Sequence, residues 1–107
     1  MTKIKHPLQY GIRKEHLVAK KLQRHGCSTV ISNASRGASD VKARGKKCWD
    51  IQVKASCADK ITPLAPSERH RLKIQARKDG AIPVQAQVKG NQVKFYSLRT
   101  NKRLYLR

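Results

Sequence analysis

The sequence predicts an α/β domain, a central mixed β-sheet flanked by helices in the order α-β-β-β-α-β-β. Three observations predict it. Two segments carry apolar residues at helical spacing, and five short segments are alternating or rich in β-branched residues. The helical segments do not alternate one-for-one with strands, so the pattern is not a regular βαβ repeat. With 107 residues, the chain suits one compact domain spanning 1–107 and carrying one site.

After Pro7, residues Leu8, Ile12, Val18, Ala19 and Leu22 recur at roughly helical spacing, with Lys14, Lys20, Lys21 and Arg24 on the other side. Gly26 ends this first helix. Ser28 to Ser32 is short and β-branched, which suits a strand leading into the polar loop Asn33 to Ser39. Asp40 to Ala43 and Cys48 to Lys54 read as two strands joined by a tight turn at Arg44-Gly45-Lys46-Lys47. A three-residue loop, Gly45-Lys46-Lys47, would pair Arg44 with Cys48 and set Asp40 opposite Gln52, whereas a two- or four-residue loop would set it opposite Ile51.

Ala55 to Pro66 has two prolines and no clear period, and so reads as a loop. Helix resumes near Ser67 and runs through Leu72 and Ala76 to a glycine stop at Gly80. Ile82 to Lys89 and Gln92 to Leu98 form a hairpin around Gly90-Asn91. In the basic tail from Arg99, Leu104-Tyr105-Leu106 can add a short edge strand.

Twenty-five Lys and Arg against six Asp and Glu give a formal charge of +19. Self-repulsion at this charge density opposes compaction, so the composition points to a polyanionic partner, nucleic acid ahead of an anionic membrane surface. No segment is long and apolar enough to span a membrane, and the basic start Met1 to Lys5 lacks the apolar run of a signal peptide. The expected setting is the cytoplasm of a prokaryotic cell or a virus-infected host. Cys27, Cys48 and Cys57 are odd in number and form no C-x-x-C, and the four histidines show no zinc spacing, so disulfides and structural zinc are not expected.

Side chains alternate along a strand, so Asp50, Gln52 and Lys54 share one face and Trp49, Ile51 and Val53 the other. With Asp40 on the preceding strand, the polar face offers oxygen ligands to a divalent cation and an ammonium beside it. Phosphodiester hydrolysis uses such a set: the metal withdraws charge from the phosphate and lowers the pKa of bound water, and the lysine stabilises developing negative charge. The D-x(11)-Q-x-K spacing alone is a weak signal, because a solvated face on a basic hairpin also produces it. Asp50 reads as a solvated carboxylate at the strand start ahead of a place at the cleft rim beside Gln52, Trp49 and Phe95 as core ahead of base-stacking residues, and Glu68 as a helix-dipole partner. Gln85 and Gln87 share a strand face that either borders the site or is ordinary polar surface.

The context adds more. Arg13-Lys14-Glu15 lies on the first helix ahead of Leu22 to Gly26. A serine and glycine loop precedes the aspartate in Ser35-Arg36-Gly37-Ala38-Ser39-Asp40, followed by Ile51-Gln52-Val53-Lys54 and Ala76 to Pro83. In order and spacing, from about Tyr10 to Phe95, this resembles the archaeal-type Holliday junction resolvases of the PD-(D/E)XK nuclease superfamily.

The resemblance implies a restriction-endonuclease-like fold and a Mg²⁺-dependent endonuclease, with Mn²⁺ as a possible substitute. Its catalytic residues would be Glu15, Asp40, Gln52 and Lys54, the first three also holding metal. It implies that Ser35 and Arg36 approach the phosphate backbone, and Arg13, Lys14, Lys42 and Lys60 are the further DNA contacts expected among the basic residues. The partner would be branched or double-stranded DNA, bound by a homodimer. Two apolar patches are candidates for the dimer interface: Ile61, Leu64, Leu72 and Ile74, or Val93, Phe95 and Leu98. Two positions depart from the pattern. Ser39 stands for the usual proline and Gln52 for the usual carboxylate, although an amide carbonyl remains a hard oxygen ligand acceptable to Mg²⁺. The alternatives are an Mrr-like, flap or nick nuclease of the same fold, and a catalytically inactive DNA-binding protein.

Overall fold

The computed structural model describes residues 7–31, 39–55 and 64–105, and of residues 7–13 the backbone alone. Helix α1 (Pro7–Arg24) is followed by strands β1 (Ser28–Ile31), β2 (Val41–Arg44) and β3 (Trp49–Ala55). Helix α2 (Pro66–Asp79) then leads to β4 (Ile82–Lys89), β5 (Gln92–Ser97) and β6 (Arg103–Leu104). The six strands form one sheet in sequence order. Neighbours are antiparallel except β3 and β4, which are parallel and joined through α2. The expected mixed sheet is therefore present, with one strand more than the seven-element order. That strand pairs at Arg103 and Leu104, one residue ahead of its expected start.

Alternation divides the sheet into two covered faces. On one face, Val41, Ala43, Trp49, Ile51, Val84, Ala86, Val88 and Phe95 pack with Val18, Ala19 and Leu22 of α1. Val18 and Leu22 are four residues apart, so they fall on one side of the helix, while Lys20, Gln23 and Arg24 are exposed. The Trp49 and Phe95 rings meet at 5.4 Å between centroids in a tilted arrangement. Helix α1 ends because Gly26 takes φ 84°, a left-handed conformation open to glycine, and the Cys27 N–H donates back to the Leu22 carbonyl at 3.1 Å. Cys27 and Cys48 are half-buried free thiols.

The other face carries α2. Only Leu72 and Ala76 of this helix are buried, and Leu72 clusters with Leu64 and Leu98. Burial of Leu72 contributes about 1.5–3 kcal/mol, and the partly exposed ion pairs at both ends of α2 add smaller increments that orient it. At its start, Pro66 occupies the first turn, one residue earlier than expected, and Glu68 accepts the Ala65 N–H at 3.2 Å. At its end, Gly80 takes φ 66° and the Ala81 N–H donates to the Ala76 carbonyl at 2.8 Å. Asp79 sits unfavourably at the negative end of the helix dipole, an effect offset by Lys42 at 3.0 Å and Arg44 at 3.4 Å.

Two expectations are corrected here. Asp50 is not a solvated carboxylate: it is 0% exposed beneath α2 and accepts from Arg44 at 3.0 Å. Burial raises its pKa, as does hydrogen bonding to Asp79, whose own pKa is lowered chiefly by that contact; Arg44 pulls Asp50 the other way. The candidate dimer patches are also largely consumed within the chain. Leu64, Leu72 and Leu98 fill the space under α2 and Phe95 belongs to the main core, leaving Ile74 exposed; Ile61 lies outside the described residues.

Removing the Asp50 carboxyl leaves a buried gap and takes from Arg44 its buried acceptor, while Asp79 and the Ala43 and Trp49 carbonyls still accept from the guanidinium. Asp50→Ala should lower unfolding free energy in urea by about 1–2 kcal/mol, with Asp50→Asn, which keeps an acceptor, losing less than half of that. Equal stability of Asp50→Ala and the parent would remove this network from the forces that place α2.

Candidate nuclease site

The β2–β3 hairpin has the register of a three-residue loop: Val41 faces Ile51, Lys42 faces Asp50 and Ala43 faces Trp49. Continued by one pair, it sets Asp40 opposite Gln52. Asp40 stands one residue before β2, where the ladder gives way. Its N–H donates to the Ile51 carbonyl at 2.8 Å, and its Oδ2 accepts the Val53 N–H at 3.0 Å. The carboxylate is thus fixed to the backbone between Gln52 and Lys54.

Lys54 lies on the same strand face as Gln52, half-buried, with its Nζ 3.3 and 3.2 Å from Glu68 Oε1 and Oε2. Parallel pairing puts Gln85 beside Gln52 and Gln87 beside Lys54, both glutamines buried on β4. Of the two sequence readings of these glutamines, the one bordering the site holds. A polar strip of amides and one ammonium therefore runs over the two central strands.

The carboxylates interact through their charges. Asp40 is held above the usual aspartate range, first by burial and then by Glu68, while the Val53 N–H and the Lys54 ammonium pull it down. Glu15 is half-buried on α1, and its pKa is pushed up to about 7, chiefly by burial and further by the negative charge of Asp40. Glu68 lies below the usual range because its hydrogen bond to Lys54 and the Ala65 N–H outweigh desolvation, the largest single effect. Glu15, Asp40, Lys54 and Glu68 are thus linked electrostatically from four elements of the chain.

Among the described residues, no three His, Cys, Asp or Glu side chains group closely enough to cage a metal by themselves. The Asp40 carboxylate, held at Oδ2 by the Val53 N–H and raised in pKa by burial, is a hard oxygen ligand of the kind Mg²⁺ takes through one or two carboxylates and several waters.

Of the expected DNA contacts, Lys14 donates to the Gly90 carbonyl at 3.2 Å and Lys42 pairs with Asp79, so both are engaged within the fold. Ser35, Arg36 and Lys60, and the side chain of Arg13, lie outside the described residues. Glu68, which the sequence reading gave only a helix-dipole role, is brought by the fold to Lys54 in the candidate site. Its position at the helix start gave a sufficient local reason for a carboxylate, and its pairing with a lysine fourteen residues earlier left no periodic signal.

No family model matches the sequence, and no curated protein matches it. Among solved structures, it is similar to Hjc, a Holliday junction resolvase of the archaeal hyperthermophile Archaeoglobus fulgidus. The TM-score is 0.71 at 21% identity, over 81% of this chain and 75% of that one. The fold is accordingly the restriction-endonuclease-like one that the sequence predicts.

The Glu15 shift has a signed consequence. A carboxyl whose folded pKa of about 7 exceeds its unfolded value near 4.5 binds protons preferentially in the folded state between those limits. Stability should therefore fall as pH rises from about 4.5 to 7. Without divalent cations, Glu15→Gln should melt higher than the parent at pH 7.5, the difference vanishing near pH 4. A constant difference across that range would contradict the raised pKa of Glu15, whose chief cause is burial.

Proposed function

We propose that the protein is a divalent-metal-dependent DNA endonuclease that acts on branched DNA, with the four-way junction as its substrate class. The observation that carries this reading is the Asp40 carboxylate, pinned by the Val53 N–H within electrostatic reach of the Lys54 ammonium, on a fold shared with a solved junction resolvase.

Asp40 would hold the metal, with the amide oxygen of Gln52 and the carboxylate of Glu15 as further ligands, directly or through water. When bound, Mg²⁺ or Mn²⁺ supplies a Lewis acid and lowers the pKa of a coordinated water. The chain's own groups supply position and charge. Lys54 places an ammonium beside the attacked phosphate, where it stabilises negative charge that grows in the transition state. Glu68 holds that ammonium in place before DNA arrives and acts as its counter-ion. Gln52 carries no charge where the resembled enzymes have a carboxylate, so Glu15 and Glu68 supply the remaining negative charge around Asp40.

Affinity would come chiefly from the Lys and Arg excess through counterion release, and so weaken steeply with salt and depend little on base sequence. A junction with two-fold symmetry needs two cuts, which a C2 homodimer supplies with two copies of one site. The exposed Ile74 on α2 is an apolar residue left over for such a contact.

The test is cleavage of a labelled four-way junction beside its linear arms, in Mg²⁺ and in chelator. The junction should be cut in Mg²⁺ alone and the linear arms much more slowly. Equal cutting of both would make this an unselective nuclease of the same fold, and tight binding without any cutting would make it a DNA-binding protein that has lost the chemistry.

A further inference from the structure

A second concavity lies away from Asp40 and Lys54. It encloses about 590 Å³ at the end of α1 and the β2–β3 turn, and is walled by Leu22, His25, Lys46, Lys47, Trp49 and Tyr105. That volume is in the range of small-molecule pockets. Trp49 opens β3, five residues before Lys54, so the two places are separated by roughly 17 Å along the strand. Trp49 also points to the α1 face of the sheet, and Gln52 and Lys54 to the other.

A smaller depression of about 210 Å³ shares His25 and Tyr105 with this cavity and adds Lys21, Arg24 and Arg103. No acidic side chain is among the described residues lining either one. Within this basic rim the walls are aromatic. Tyr105 is 58% exposed, with the Arg103 guanidinium 4.7 Å from its ring centroid. In the cavity wall, the buried Trp49 Nε1–H has no hydrogen-bond partner.

A hollow with Trp49 and Tyr105 in its wall, Lys46 and Lys47 at its rim and no acidic side chain among the described lining residues matches a molecule that is a flat heterocycle at one end and an anion at the other. We infer that this concavity binds a nucleotide, and specifically an unpaired nucleotide of a DNA strand, with its base against Tyr105 and the Trp49 wall and its phosphate on Lys46 and Lys47. Stacking on an aromatic side chain tolerates any base, and the cations follow the backbone. The choice of a strand over a free nucleotide rests on the proposed action on branched DNA, where strands that leave the duplex offer unpaired nucleotides.

Trp49 is the only tryptophan in the chain and lines this cavity, so its fluorescence is the probe, with circular dichroism tracking the core it also belongs to. The experiment titrates the full chain, in chelator, with oligothymidylate, thymidine monophosphate and a blunt duplex of equal length. Oligothymidylate should quench Trp49. Tyr105→Ala should weaken that binding about tenfold while leaving duplex affinity within about twofold, because stacking serves only unpaired bases. Tyr105 is exposed, so the variant should keep the parent's circular dichroism; Lys46→Glu with Lys47→Glu provides a second variant, expected to lower the salt dependence of oligothymidylate binding.

Tight binding of the oligomer over the mononucleotide supports a strand as ligand. Equal affinities overturn the strand assignment and leave a free-nucleotide site. Oligothymidylate that binds without changing Trp49 fluorescence, or as tightly to Tyr105→Ala, overturns the site. Equal loss of duplex binding in Tyr105→Ala overturns the site as well, whereas a parent chain that binds neither duplex nor oligothymidylate would count against the DNA-binding reading on which the inference rests.

Discussion

The period-two alternation of β3 is the constraint on which the rest of the structure depends. Placed in the middle of the sheet with a helix over each face, this strand has no solvent side to absorb misplaced residues. Trp49 and Ile51 enter the core under α1, while Asp50, Gln52 and Lys54 must find polar company on the face of α2. A slip of one residue in the β2–β3 hairpin would exchange the two sets, so the three-residue turn fixes both the core and the site. The same register brings Asp40 to Val53 and gives its carboxylate a backbone donor.

From that constraint follows the charge pattern beneath α2. Asp50 is buried at one end of the polar row and compensated by Arg44, which reaches Asp79 as well. Lys54 stands at the other end and is paired with Glu68. Helix α2 is anchored by both pairs, so the group that positions the proposed catalytic lysine is also one that seats the helix. In a chain of +19, four of the six acidic residues, Asp40, Asp50, Glu68 and Asp79, are spent in this layer, and Glu15 faces it electrostatically from α1. Acidic residues are thus concentrated in the layer beneath α2, while the excess of cations is left for other surfaces.

Much of this was legible in the sequence where local chemistry decides the outcome. Gly26 and Gly80 mark helix ends because both take left-handed backbone, Gly90-Asn91 marks a two-residue hairpin loop, and the glycine-lysine-lysine turn sets a register that alternation can test. What escaped depends on packing between distant elements. Period two assigns Asp50 to a face but cannot say that a helix covers it. Glu68 had a local reason for its place that concealed a tertiary one. Leu64, Leu72 and Leu98 looked available for a partner because the sequence does not show which apolar residues the chain's own fold consumes.

The central claim is that chemistry resides in Asp40 and Lys54 while affinity resides elsewhere, in many phosphate contacts. The most direct measurement compares Asp40→Asn and Lys54→Ala with the parent for both junction cleavage in Mg²⁺ and junction binding in chelator. Cleavage should be abolished in each variant, with binding retained within a few-fold. Cleavage by both variants at the parent's rate would contradict the site.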